Sequence, residues 1–203
     1  MIITIGREFG SGGREVGKRL ADALNLKYYD KEIITEIAKG SALNEQYVEN
    51  VIEKGFPGGF YYTFGQTFAH VPVFTENAMM SVLAEQRKVI MRLAETDCVI
   101  VGRSADAILT ELKPFRLFVY ADEEYKVKRC RDRAPEGEKY TDKQLIKKMK
   151  SIDKGRKKLH SVLSPIPWGD KRGYDLMINT GSADIKKLVP LVAEYIKRYY
   201  ESK

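Results

Sequence analysis

The sequence predicts an α/β protein: a parallel sheet covered by helices on both faces, folded as one domain with inserts. Three observations carry this prediction. A β-branched run, a glycine-rich loop and a helical pattern follow one another within the first 25 residues. Further along, apolar runs of strand length alternate with segments of helical periodicity. The chain of 203 residues is long enough for one sizeable core but hardly for two full domains.

Taken in order, Ile2-Ile3-Thr4-Ile5 reads as a buried strand ended by Gly6. After the loop Gly6–Gly13, Val16, Leu20, Ala23 and Leu24 recur at helical spacing through Arg14–Leu24. Lys27-Tyr28-Tyr29 fits a second short strand closing at Asp30. Asn44 is placed to cap a helix to about Lys54, and Met79, Val82, Leu83, Val89, Ile90 and Leu93 form a long amphipathic helix. Between them lies Gly55–Gly65, a loop rich in glycine and aromatics. Cys98–Val101 and Phe115–Tyr120 are the next strands, with Ala105–Leu112 as a crossover helix. Asp122 is a candidate cap for a basic helix, and Thr141-x-x-Gln144 a capping-box signal for a helix to about His160. Tyr174–Asn179 reads as the last strand and Ser182–Tyr200 as a terminal helix, which Pro190 should kink or start late.

Composition excludes several classes. No apolar run approaches the ~20 residues that span a bilayer, and the first residues lack a signal-peptide pattern, so a cytoplasmic protein without a membrane segment is expected. Two cysteines, Cys98 and Cys130, and the isolated His70 and His160 suit neither a disulfide framework nor a zinc site. The net charge of +7 suits a polyanionic partner. Because that charge is spread over loop and helices with no nucleic-acid module, phosphorylated small molecules are favoured over nucleic acid. Oligomeric state is left open.

The loop points to the ligand. Phosphates need clustered donors without side chains in the way, and Gly10-Ser11-Gly12-Gly13 sits where a strand passes into a helix. The loop is an irregular Walker A motif. With Gly12 as its second glycine, Arg7 stands at the first, and Gly13 and Arg14 replace the Lys and Ser/Thr. Arg14 or Lys18 is the candidate replacement cation, and no residue is identified for the metal. A literal G-x-x-x-x-G-K at Gly12–Lys18 falls inside the predicted helix and is discounted.

Arg7-Glu8-Phe9-Gly10-Ser11-Gly12-Gly13-Arg14, Tyr28-Tyr29-Asp30-Lys31, Val101-Gly102-Arg103-Ser104-Ala105-Asp106, the basic Arg129–Arg133 and Tyr174–Thr180 together resemble the cytidylate kinase-like family of P-loop nucleoside monophosphate kinases. The resemblance implies a P-loop NTPase fold with a five-stranded parallel sheet. It divides the chain into a core (1–30, 96–128 and 172–203), a helical monophosphate-binding insert (31–95) and a lid region (129–171). It implies ATP and Mg²⁺ as cofactors, nucleotide substrates, and phosphoryl transfer from ATP to a nucleoside monophosphate, CMP or dCMP. In the cytidylate kinases proper a Gly-Arg-Asp after the third strand helps hold the acceptor phosphate. Gly102-Arg103 matches, Ser104 departs, and Asp106 is the candidate substitute.

The candidate site residues follow. Gly10, Ser11, Gly12, Gly13, Arg14, Lys18 and Arg156 would bind the donor nucleotide, and Asp30, Arg103 and Asp106 the acceptor. Arg14, Arg103, Arg129 and Arg133 would serve catalysis, since guanidinium forks bind phosphate bidentately and stay charged. On a helix Arg129 and Arg133 share a face. Asp30 could instead cap the following helix, and the Phe56–Phe68 aromatics could stack on a base, pack locally or meet a second copy. Competing readings are a P-loop kinase of another small acceptor and a nucleotide-binding protein with little turnover.

Overall fold

The computed structural model describes residues 1–54, 76–134 and 140–202. The Gly55–Gly65 loop and the Phe56–Phe68 aromatics therefore lie outside the described residues, as does His70. Five strands, β1 (Ile2–Arg7), β2 (Lys27–Tyr29), β3 (Cys98–Val101), β4 (Phe115–Tyr120) and β5 (Leu176–Asn179), form one sheet in the order β2-β3-β1-β4-β5. Each pairing is parallel, with Ile3 opposite Val99 on one side and Phe115 on the other. The sheet and its helices make the P-loop NTPase arrangement.

Strand residues point alternately to opposite faces, and β3 shows the consequence. Cys98 and Ile100 join a core under α2 (Glu32–Ser41), α3 (Glu45–Lys54) and α4 (Glu76–Leu93). Val99 and Val101 join a second core under α1 (Gly13–Leu24) and α8 (Ile185–Glu201). Both faces are apolar because both are covered, which is why these strands read as continuous apolar runs. Helix α1 lies close on the sheet at Gly17, where a Cβ would come within 2.6 Å of Val101.

Several local expectations meet their physical reasons here. Thr141 and Gln144 make the reciprocal capping box at the start of α7 (Asp142–Leu163), and Asn44 Oδ1 accepts from the Gln46 N–H at the head of α3. Asp122 holds the N-cap position of α6 (Glu123–Asp132) in extended backbone, but its side chain makes no capping bond. The crossover after β3 is not one helix. It is a single turn, α5 (Ala105–Ile108), followed by a 3₁₀ turn at Thr110–Leu112. β5 starts two residues later than the apolar run, since Tyr174 follows a 3₁₀ turn and packs its ring on Phe118. Helix α8 begins at Ile185, capped by Asp184, and runs on through Pro190.

Candidate active site

The loop between β1 and α1 opens onto a cleft of about 630 Å³, lined also by α3, α6 and α7. That size is in the range of ~300–1,000 Å³ typical of small-molecule sites. Gly10 and Gly12 sit at φ of 81° and 85°, in the left-handed region that favours glycine. Ser11 is fully buried and its hydroxyl donates inward, to the carbonyls of Glu8 at 2.9 Å and Val119 at 3.0 Å. Its own carbonyl accepts from the Thr180 hydroxyl at 2.5 Å, which ties the loop to the end of β5. The serine thus shapes the loop, and its hydroxyl proton is committed to backbone.

Arg7 explains the irregular motif. A Cβ added at Gly13 would lie 2.4 Å from the Arg7 Cβ, so the side chain of Arg7 fills the space where a residue at the lysine position would begin. Its guanidinium continues over Gly102, where a Cβ would meet Nη1 at 1.9 Å. The residue is 5% exposed. Burial first, then the neighbouring charges of Arg156 and Arg103, lower its pKa to about 9 against the pull of Glu53. It remains a cation at neutral pH.

Glu53, at the end of α3, gathers three guanidiniums. Arg103 Nη1 donates to its Oε1 at 2.6 Å, Arg156 reaches Oε2 through Nε at 3.2 Å and Nη2 at 3.1 Å, and Arg7 Nη2 stands 3.5 Å from Oε1. Burial alone would raise this carboxyl. The charges of Arg103, Arg156 and Arg7 prevail and hold it far below the usual carboxylate range. Arg103 is placed by a left-handed backbone, φ 57°, just past β3, where its carbonyl accepts from the Gln86 side chain at 2.7 Å. Arg156 also donates to the Arg7 carbonyl and to Asp153, and Asp153 accepts the Phe9 N–H at 2.8 Å.

A second carboxylate, Glu15 in the first turn of α1, organises the other wall. Arg129 on α6 and Arg133, at the C-cap position just past its last residue, donate to its Oε2 at 2.5 Å and 2.6 Å, while Arg19 takes Oε1. Burial would raise its pKa, but the hydrogen bonds from Arg129 and Arg19 and the charges of Arg129 and Arg133 bring it down to about 2. A depressed carboxyl stabilises the fold above its unfolded pKa of ~4.3 and loses that contribution as pH falls through its folded value. The melting-temperature gap between wild type and Glu15→Gln should therefore be full at neutral pH, narrow below about pH 4 and close near pH 2.

The expected site residues divide accordingly. The loop glycines, Arg14, Arg129, Arg133 and Arg156 line the main cleft. Arg103 lines a smaller pocket that adjoins it through Arg7, Glu53 and Arg156. Asp30 is buried, and its carboxylate takes Arg14 Nε at 2.8 Å. It does not cap α2, whose N-cap is Lys31 without a side-chain bond. Asp106 lines the smaller pocket but binds His160 Nε2 at 2.9 Å, a buried pairing that its spacing in sequence did not announce. Lys18 stands apart on the outer side of α1, paired with Asp22 at 3.0 Å. Cys98 is a buried strand residue, and Cys130 lies on the cleft wall beside Gly10. Glu15 and Glu53 were not singled out from sequence, and Arg7 and Glu8 entered only as part of the loop motif, not as site residues. The available signal was an arginine at the first Walker position matched by a glycine at the lysine position.

The donor set does not fit a magnesium ion held by the loop. P-loop kinases use a Ser/Thr hydroxyl there, and Arg14 occupies that position. Of the neighbouring carboxylates, Glu8 is engaged by Lys126, Glu15 and Glu53 by arginines, and Asp30 by Arg14 through Oδ2 alone, its buried Oδ1 having no hydrogen-bond partner. Among the described residues no group of three or more His, Cys, Asp or Glu is placed to hold a metal.

Comparison with known proteins agrees with this fold. A family model described as the cytidylate kinase-like family matches residues 2–182. A crystal structure of an uncharacterized protein from Eubacterium ventriosum is 30% identical with a TM-score of 0.70, covering 97% of this chain and 98% of that one. Shikimate kinase from Bacteroides thetaiotaomicron shares the fold at 15% identity and TM-score 0.57, covering 97% of this chain and 98% of its own. The Bacillus subtilis YorR protein, solved in complex with phosphorylated GDP, does so at 13% identity and TM-score 0.53, covering 99% and 98%. No curated protein matches the chain. Among the described residues no helix is long and apolar enough to cross a membrane.

Proposed function

The chain belongs to the cytidylate kinase-like family, and from that premise we propose that it is a cytoplasmic enzyme transferring the γ-phosphoryl group of ATP to a nucleoside monophosphate, CMP or dCMP first. The observation that carries this reading is one concave cleft in which a glycine-rich loop at a helix N-terminus faces Arg14, Arg129, Arg133 and Arg156. Phosphoryl transfer asks little covalent chemistry of a protein. It asks for alignment and for positive charge around the transferred group.

In this reading the triphosphate lies along the loop, with its oxygens toward the N–H groups of the α1 N-terminus and the guanidiniums of Arg129 and Arg133. The acceptor phosphate sits nearer Arg103, at the carboxyl edge of the sheet. An acceptor phosphate oxygen attacks the γ-phosphorus, the bond to the bridging β–γ oxygen breaks, and ADP leaves with a nucleoside diphosphate as product. Residues 31–95 supply the acceptor side and residues 129–171 the lid, whose arginines α6 and α7 would bring down on the donor.

The test is ADP formation from ATP with CMP, dCMP, UMP, AMP and GMP each offered as acceptor. Turnover confined to CMP and dCMP is the expected result, and Arg103→Ala should lose acceptor use while keeping ATP affinity. Unchanged acceptor kinetics in that variant would remove Arg103 from the site. A second reading, nucleotide binding with little turnover, is favoured by Gly13 and Arg14 at the Lys and Ser/Thr positions. It predicts ATP binding without ADP formation for any acceptor.

A further inference from the structure

Arg7 and Gly13 are a matched exchange. The loop has no lysine at its usual place because the Arg7 side chain already fills the start of that space, 2.4 Å from where a Gly13 Cβ would be. The cation has moved from the first turn of the helix to the last residue of the strand. There it is 5% exposed and lines both the main cleft and the adjoining pocket. Its Nη2 is buried without a hydrogen-bond partner, facing Glu53 Oε1 at 3.5 Å, beyond good hydrogen-bond length. A desolvated guanidinium with an unmet donor at the mouth of an anion-binding loop is poised for an oxygen ligand.

The second departure completes the first. Arg14 replaces the hydroxyl that would carry a metal ion and is held through Nε by the buried Asp30 at 2.8 Å. Its side chain is 49% exposed and lines the cleft. At the end of β2 the Asp30 carboxylate orients that guanidinium through Oδ2, while its Oδ1 is buried without a hydrogen-bond partner. Two guanidiniums thus border the loop, one whose stem fills the start of the lysine space and one that branches from the Ser/Thr position.

We propose that this loop binds the polyphosphate of a nucleoside triphosphate through fixed guanidiniums, Arg7 in place of the lysine and Arg14 in place of the metal-bearing hydroxyl, so that triphosphate binding needs no divalent cation. The inference rests on the kinase reading for the identity of the ligand, and on the loop alone for how it is held. A fixed guanidinium is pre-organised and makes bidentate contacts, whereas a hydrated magnesium ion must be recruited with the ligand.

The experiment is calorimetric titration of the full chain with ATP and with inorganic tripolyphosphate, each in excess EDTA and in excess Mg²⁺. The expected result is affinity in EDTA within about threefold of that in Mg²⁺ for ATP, with Arg7→Met and Arg14→Gln each weakening binding about tenfold or more in both buffers. Arg14 is half exposed, so its variant should fold even if the Arg7 variant does not. Binding of ATP only with Mg²⁺, or Arg14→Gln and a folded Arg7→Met both binding like wild type, overturns the proposal. If such Mg²⁺-dependent binding goes with transfer to CMP, the kinase reading stands and this inference alone fails. If ATP binds in EDTA but ADP never forms with any acceptor, the kinase reading fails and this inference stands. Absence of binding for both ligands in both buffers sinks both.

Discussion

Glu53→Gln is expected to lower the melting temperature by roughly 10 °C, and inorganic phosphate should restore much of the loss. The carboxylate answers Arg103, Arg156 and Arg7 at distances of 2.6 Å, 3.1 Å and 3.5 Å. Its side chain is only 16% exposed, so solvent screens these contacts little. Removing one partner of a buried ionic cluster costs ~3–5 kcal/mol, because the remaining charges stay desolvated. For a chain of this size each kcal/mol is worth about 2–4 °C. The low folded pKa of Glu53 means its contribution is complete above the unfolded carboxylate pKa of ~4.3 and is lost only in strong acid. The gap between wild type and variant should thus be constant from pH 6 to 8. Phosphate enters because the three guanidiniums form an anion site that Glu53 fills from within. In the variant a phosphate ion binds the folded state alone and stabilises it by mass action. Thermal unfolding of both proteins, with and without phosphate, reads this directly. An equal shift in both would show that the cluster takes no external anion.

The second large effect is Gly13→Ala together with its rescue. The single substitution sets a Cβ 2.4 Å from the Arg7 Cβ and 2.8 Å from its Cγ. These are atoms near the backbone and cannot swing away as the tip of a long side chain can. Overpacking of this kind costs ~1–3 kcal/mol. In the Arg7→Gly/Gly13→Ala double variant the clash is gone, so the second substitution should cost much less than it does alone. The two changes should be coupled by about 1 kcal/mol or more in denaturant unfolding. Additive costs would mean that Arg7 does not occupy the lysine space. The control is Gly17→Ala, where a Cβ meets Val101 at 2.6 Å and Ile5 at 3.1 Å, and which Arg7→Gly should leave unrelieved.

The strands were legible because each is a short apolar or β-branched run, and β2, β3 and β4 have the bounds the pattern indicates. The capping box at Thr141 was legible because its signal is entirely local. Asp122 was not, since the same residue type can hold the cap position and turn its oxygen elsewhere, and only tertiary surroundings decide which. The site divides along the same line. The loop glycines follow from spacing on a loop and Arg129 from a helix, whereas Arg133 falls at the C-cap just past α6 and reaches Glu15 from there. The Glu53 cluster joins residues from β1, α3, the end of β3 and α7, and nothing local marks Glu53 among the other glutamates of its helix. Asp106 sits near Arg103 in sequence, yet its oxygen is taken by His160 from α7, a contact no spacing rule reaches. Lys18 matched a motif written in the sequence, but helical geometry carries it a turn beyond the loop to the outer side of α1.

The strand order has a consequence for synthesis. β1 is made first and lies at the centre of the sheet, between β3 and β4. It gains no partner until Cys98–Val101 has left the ribosome and is not flanked on both sides until Phe115–Tyr120 follows. Until then a β-branched segment, Ile2-Ile3-Thr4-Ile5, waits unpaired while the helices α2 to α4 are already available to form locally. Such long-range parallel pairing is slow and leaves apolar edges open to other nascent chains. Chains that stop before Tyr120 leave their central strand unflanked on one side and should be cleared or aggregate, and protease resistance should be complete only once β5 and α8 have closed the second core.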